Sequence, residues 1–430
     1  MNVTGIISAI GNNSSQYPLI VRDCGIEVPA KIYLTYKETE TDKQIQRLAT
    51  RERFYDEYLG SAVWLGAIPL IERCGDFAIK RLGYNPDVNI KLFKEDDIQG
   101  LNFNIKKFEG KVSDEIINDL KKLTDIKNQK TYKNLLAMKF AAATLIPIAL
   151  IGFILPKMIF SSSAKKIAEL RKQKQENSTK SQQQNDLTQK FTNSQKKPTF
   201  TGNIAATLAN FSTLEKMEII DGGYALGRIV TARKGTDGNR NEAKDIAFKM
   251  AGMMYLNYLA PKQLEKGLNI FSNKAFGLNT NLDPIMLADK KFIQNIKEGN
   301  IELPKSNEAK DLLDFVDNNP KSMFCQYANK FKKIKLLENG IRDPRSYVNT
   351  KELANFKKEI EDFAKSAIST KNVENFAKKA KGVKTFNILA NVGLSSFLLA
   401  YCLPKAQFAF RELITGSKLD PGIVNANMEK

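Results

Sequence analysis

Two stretches of this chain, Phe140 to Pro156 and Thr385 to Pro404, are long, apolar and uncharged, and each closes on the same tripeptide, Leu155 to Lys157 and Leu403 to Lys405. A helix crossing about 30 Å of hydrocarbon needs roughly 20 mostly apolar residues. Extending the first stretch back to Leu136 adds one charge, Lys139, close enough to an end to reach the headgroups. The second is bracketed by Lys384 and Lys405. The sequence therefore predicts transmembrane helices over 136–160 and 385–404, with Lys139, Lys157, Lys384 and Lys405 as interfacial anchors. Pro147 would kink the first, because it removes a backbone donor and crowds the preceding turn. Two full spans would put both termini on one side of the membrane.

Asn387, Asn391 and Ser395 recur every four residues in the second stretch and so share one helical face; Ala137 and Ala141 have the same spacing in the first. Small and polar residues on one face let membrane helices approach closely and hydrogen-bond each other. The expectation is that the two helices pack together, or each on a copy in another chain.

What is absent closes several chemistries. There is no histidine, which removes imidazole bases, Ser-His-Asp and Cys-His catalysis, and His-ligated zinc. The four cysteines, Cys24, Cys74, Cys325 and Cys402, are far apart and form no metal-ligand spacing. Asp221 to Arg228 (DGGYALGR) lacks the order of either phosphate-binding glycine loop and reads as a turn. Ser162 and Lys165 satisfy S-x-x-K without its partner motifs. Asp96 and Asp97 are adjacent and diverge on a helix; Arg51, Glu52 and Arg53 read as surface pairs. No catalytic, cofactor-binding or metal-ligating residue is assigned, and no cofactor is expected. The first dozen residues lack a basic n-region, so no cleaved signal peptide is expected.

Lys plus Arg exceed Asp plus Glu by 66 to 47, for a formal charge of +19, which favours anionic surfaces. Lysine supplies most of the excess, whereas readers of phosphate and base edges lean on arginine, so nucleic acid is the disfavoured partner.

Residues 59–69 (LGSAVWLGAIP) align with 251–261 (AGMMYLNYLAP), matching Gly60 to Gly252 and Pro69 to Pro261. With a small shift, Leu82 to Asn85 then matches Phe276 to Asn279, and the series ends at the paired Leu-Pro-Lys sites. This order suggests an internal duplication. Between the halves, 161–200 is rich in Lys, Gln, Ser and Asn, with little to bury, and reads as a disordered basic linker able to attract anionic lipid. Ser113 before Ile116, Ile117, Leu120 and Leu123, and Asn349 with Glu352 before Leu353, Phe356, Ile360 and Phe363, read as capped helices with one apolar stripe. Extended structure is expected only near Tyr17 to Tyr36, where β-branched and aromatic residues surround Gly25 and Pro29.

Arg51 to Gly83 (RERFYDEYLGSAVWLGAIPLIERCGDFAIKRLG), with the later span ending in Leu-Pro-Lys and the PTFTGN of Pro198 to Asn203, resembles a family of uncharacterised bacterial membrane proteins from lineages related to cyanobacteria. The resemblance covers about half the chain. It implies a bacterial membrane protein and carries no activity, substrate or catalytic residue.

The expected molecule is mainly α: a helical membrane protein with two transmembrane helices, amphipathic helices and a possible duplication. Its parts are a helical region over 1–135, a span over 136–160, the linker 161–200, a second helical region over 201–384, a span over 385–404 and a tail over 405–430. Its expected place is the bacterial cell membrane, integral, with the lipid bilayer, a protein partner or a second copy as partners. The expected work is structural or interaction-based. The alternatives are a subunit of an oligomeric transport or permeation assembly, since two helices cannot enclose a pore alone, and a soluble basic nucleic-acid-binding protein.

Overall fold

Pro29, Pro69, Pro261 and Pro404 do not stop helices; each lies inside one, two residues beyond a five-residue π-helical turn. The computed structural model describes residues 2–13, 15–38, 43–94, 97–154, 211–234 and 240–416. The linker 161–200, Lys157, Ser162, Lys165, Asp96 and the tail beyond 416 lie outside the described residues. Among those described there is no strand, and six long helices dominate: α1 (17–38), α2 (43–81), α3 (126–154), α4 (Thr213–Lys234), α5 (240–276) and α6 (Val373–Thr415).

The proline spacing has a plain cause. A proline has no N–H and its ring presses on the carbonyl four residues earlier. Widening the preceding turn by one residue hands a carbonyl to the residue just before the proline instead. Val28 N–H thus donates to Asp23, Ala260 to Tyr255 and Leu403 to Leu398. Turns of this kind occupy Asp23–Glu27, Val63–Ala67, Leu150–Ile154, Tyr255–Leu259 and Leu398–Cys402. The extended structure expected over Tyr17 to Tyr36 is therefore a helix, because Gly25 and Pro29 are absorbed by such a turn. The glycine-rich run from Asp221 is likewise inside α4, not a turn.

The long helices close a ring in chain order, α1 against α2 and so on to α6, which returns to α1. Contacts fix the directions. Lys31 meets Glu57 and Tyr36 meets Gln46, so α1 and α2 are antiparallel. Gly223 abuts Ile148 while Lys216 meets Glu72 and Gly75 meets Lys139, so α3 and α4 run the same way. Helices α1, α3, α4 and α6 are parallel, with α2 and α5 opposed to them. Helices α1–α3 and α4–α6 thus form two sets with the same internal arrangement. Helix α2 and helix α5 end alike, at Gly83 and Gly277, both at positive φ (80° and 65°), which glycine tolerates best. The N-terminal helix Val3–Gly11 sits at this same end, Ser8 Oγ donating to Asp283 at 2.7 Å, whereas Thr415 ends α6 at the opposite one. The two described ends of the chain therefore lie at opposite ends of the ring, contrary to the expectation from two spans.

The connections 82–125 and 277–372 leave the ring at one end and pack on each other as a cap. Gln99 and Val348 exchange two hydrogen bonds (3.0 and 2.8 Å), and Asn104 Nδ2 donates to Pro344 O at 2.9 Å. The cap's larger core gathers Phe292, Phe324, Phe356, Ile360 and Phe363, the last three on the stripe after Asn349, whose side chain accepts from Glu352 N–H. Ser113 stands at the predicted start of Asp114–Lys122 without a side-chain capping bond, and Ile116, Ile117 and Leu120 are buried.

Among the described residues only Val373–Thr415 is long and apolar enough to cross a membrane; its best 18-residue window has mean hydropathy 1.6 and is 44% buried, so over half of it faces outward. The sequence predicted two such helices. The first apolar stretch lies in α3, which opens on the polar run Ile126 to Lys133 (IKNQKTYK) and is described only as far as Ile154, the rest of the expected span lying outside the described residues. Nor do the two stretches pack on each other: α3 lies between α2 and α4, and α6 between α5 and α1. A Cβ on Gly252 would stand 2.4 Å from Leu403 Cδ1 across the α5–α6 contact. Gly252→Val is expected to cost about 1–3 kcal/mol by overpacking, read as a lower melting temperature of the detergent-solubilised protein.

Candidate functional site inside the helix ring

The ring buries polar and charged groups among its apolar ones and carries many large apolar side chains on its outside. Buried polar or charged residues on the long helices include Arg22, Glu27, Lys31, Lys216, Asp245, Asn257, Lys384 and Gln407. Outward on the same helices stand Phe54, Leu70 and Phe77 of α2, Leu145 and Ile146 of α3, Leu226 of α4, Ile270 and Phe271 of α5, and Phe386, Leu389, Leu394 and Phe397 of α6. In the two cap segments the exposed large apolar residues are only Leu82, Ile98, Phe103 and Ile368 among those described.

The densest charge is on α1. Arg22, Asp23, Glu27 and Lys31 share one face because the π turn adds a residue between the first pair and the second. Their exposures, 3% for Arg22, 2% for Glu27 and 4% for Lys31, decide that these are interior groups. Lys31 pairs with Glu27 one turn away and lies 3.7 Å from Glu57 of α2, which Arg53 engages at 2.6 Å. Asp221 of α4 accepts from Tyr258 Oη of α5 at 2.5 Å. Charges this deep in a helical bundle are costly, and bundles keep them where they meet substrates, ions or each other.

An apolar layer separates this cluster from the cap end. Leu19, Trp64, Ile68, Leu214, Met217, Ile220 and Tyr258 come from α1, α2, α4 and α5 and pack together, with Ile148 and Ile151 of α3 against them. Beneath it Lys216 pairs with Glu72. Two small cavities of about 10 Å³ each flank the ring's cap-side half, each with room for one water-sized particle. In this conformation the apolar layer closes the ring.

The residues singled out from sequence fall as follows. Asn387 Nδ2 donates to Ser272 Oγ at 2.8 Å and Thr280 Oγ1 at 3.2 Å, Asn391 Nδ2 to Pro261 O at 3.0 Å, and Ser395 Oγ back to Asn391 O at 2.7 Å. These three line the α5–α6 contact. Ala137 and Ala141 are half-buried, and the small residues of α3 that are fully covered are Ala143 and Thr144. Lys139 and Lys384, expected as anchors, pair with carboxylates one helix away, Lys139 with Asp76 and Lys384 with Glu265 at 3.3 Å. Lys405 lies 6.0 Å from the Tyr401 ring centroid. Among the described residues no cluster of three or more Cys, Asp or Glu side chains could hold a metal ion.

Sequence reasoning passed over the α1 cluster altogether. Its one available signal was Glu27 and Lys31 at i, i+4 within an apolar context, the spacing of an ordinary surface pair.

No family model matches this chain, and no curated protein or solved structure is detectably similar to it.

Proposed function

We propose that the protein is an integral protein of the bacterial cell membrane whose helix ring forms a gated polar pathway, a transport or permeation function seated within one chain. The observation that carries this reading is the α1 cluster, buried Arg22, Glu27 and Lys31 with half-buried Asp23, inside helices that expose large apolar side chains. The sequence made conduction conditional on oligomerisation because two helices cannot enclose a pore; six helices in a ring remove that condition. On α2 the exposed apolar residues run from Phe54 to Phe77, about 35 Å at ~1.5 Å per residue, against a hydrocarbon thickness of about 30 Å. Proline-linked π turns in α1, α2, α5 and α6 sit beside the apolar layer and give it hinges.

The two three-helix sets are proposed to descend from a duplication. Gly60 and Gly252, Pro69 and Pro261, and Gly83 and Gly277 then occupy matching places, and Asp23-Cys24-Gly25 of α1 matches Asp221-Gly222-Gly223 of α4, each set supplying one interior aspartate.

Basic residues stand at both ends of the ring, among them Lys80, Arg81, Lys127, Lys130 and Lys133 at the cap and Lys37, Lys43, Arg47, Arg240 and Lys244 at the other. The expected result is retention in membranes through carbonate and high-salt washes. In a variant freed of its native cysteines, Leu413→Cys and Lys310→Cys should react with an impermeant maleimide from opposite sides of the membrane, one in intact cells and the other only after lysis. Release by salt alone, or labelling of both positions from one side, would sink the arrangement.

A scaffold role is the second reading, favoured by the cap's separate aromatic core, which needs no pathway to explain it. Solute flux in proteoliposomes of the purified chain, present or absent, decides between them.

A further inference from the structure

We propose that the cavity between the start of α1 and the middle of α5 binds a small monovalent anion, a halide or a carboxylate group, with Arg22 as its principal contact. This rests on the reading of the ring as a polar pathway and names a solute class for it. Arg22 is 3% exposed, and its guanidinium lies within ion-pair distance of no carboxylate. Its hydrogen bonds are long ones to backbone carbonyls: Nε to Pro18 O at 3.4 Å and Nη2 to Asn257 O at 3.3 Å. Nη1 is buried without a partner, and so is Oδ1 of Asn257, itself 7% exposed. Both residues line the same cavity.

A buried guanidinium with no carboxylate in contact is more costly than a paired one; Asp23 and Glu27 act on Arg22 only at longer range, and its unpartnered Nη1 points to an acceptor supplied from outside the chain. Turning the Asn257 amide about its last bond aims Nδ2 where Oδ1 now stands and turns the orphaned acceptor into a second donor. At the rim Lys262 is exposed and Ser15 carries a hydroxyl, so the entrance is cationic and can donate. The cavity, about 10 Å³, takes one particle of water or halide size. A carboxylate would enter by its oxygens alone, its remainder outside. Asp23 and Glu27 lie further along α1, Glu27 committed to Lys31.

Trp64, the chain's only tryptophan, packs in one apolar cluster with Leu19, Leu214 and Tyr258, which also line the cavity, and so reports on it. The test is titration of the full chain in detergent with potassium chloride or potassium acetate against potassium hexafluorophosphate at constant ionic strength, following Trp64 emission and melting temperature. Hexafluorophosphate has no carboxylate, is too large to enter and controls for diffuse attraction to the basic surface. A saturable change with chloride or with acetate is expected, the responding salt identifying the source. Arg22→Gln should weaken it at least tenfold, and Lys262→Gln, on the exposed rim, a few-fold.

No saturable response to either salt in the wild type overturns the proposal. So does an unchanged midpoint in a folded Arg22→Gln, or, should that variant not fold, an unchanged midpoint in Lys262→Gln. Binding in detergent needs no flux. Anion binding without transport would therefore count against the pathway, and transport without anion binding against this site alone.

Discussion

Arg342→Met will destabilise the cap by about 3 kcal/mol, the low end of the cost of breaking a buried ion pair. The Arg342 side chain is fully covered and grips Asp317 with two bonds, Nε to Oδ1 at 2.8 Å and Nη2 to Oδ2 at 3.2 Å, while its guanidinium lies 5.0 Å from the Phe108 ring centroid. Removing it leaves an 8%-exposed carboxylate with only Lys107, at 2.7 Å, for compensation. Because Phe108 and Lys107 belong to the 82–125 segment and Asp317 to 277–372, the pair also joins the two halves of the cap. Amide exchange should therefore quicken in both segments and not in the ring. The double variant Asp317→Asn, Arg342→Met should recover most of the loss, since no charge is then stranded. Exchange unchanged in the single variant would show that the pair contributes nothing.

The same pair sets a pH dependence. Burial pushes the Asp317 carboxyl up, but the bonds and charge of Arg342, with Lys107, outweigh it and hold it below the usual range; Asp343, covered beside Arg345 and Lys335, is held low in the same way. A carboxylate whose folded pKa is depressed contributes stability that is present above its unfolded value, about 4, and is lost as pH falls through the folded value. Wild-type cap protection should therefore decline below about pH 4, and more steeply than in Arg342→Met, which has already lost part of that contribution.

Local signals were legible in this sequence, and those that depend on what surrounds a helix were not. Asn349 and Glu352 announced a helix whose stripe of Leu353, Phe356, Ile360 and Phe363 is buried, because caps and periodicity act within a few residues. Proline is a poor guide to helix ends here, since α2 and α5 continue past Pro69 and Pro261 to Arg81 and Phe276. A one-residue π insertion lets a helix pass a proline, and it leaves no mark on composition. Hydropathy found α6, which is apolar through its middle, and undervalued α1, α2, α4 and α5, where charged residues, some of them buried, interrupt the apolar ones. Arg51, Glu52 and Arg53 looked like surface pairs, yet Arg53 turns toward Glu57 beside the buried Lys31. A salt bridge at i, i+4 looks the same in sequence whether water or another helix lies over it.

Lys31→Met will be among the most damaging single changes in the ring, and its partner variant will say what the ring is for. Lys31 and Glu27 are 4% and 2% exposed, and Glu57 on α2 holds the same ammonium at 3.7 Å. With the ammonium gone, Glu27 remains buried with no cation against it, a loss of about 3–5 kcal/mol where a buried pair is broken from one side. The expected readout is a sharply lower melting temperature and poor recovery from membranes. Glu27→Gln with Lys31→Met removes both charges in nearly the same volume and should restore the fold almost completely, because apolar or neutral replacements of a buried pair are often neutral for stability. If the cluster were there only to hold α1 against α2, this double variant would behave as wild type in every assay. A pathway needs the charges themselves, so the double variant should melt like wild type and yet lose solute flux in proteoliposomes by tenfold or more. Normal flux through a ring stripped of both groups would remove the α1 cluster from the pathway and leave the scaffold reading in its place.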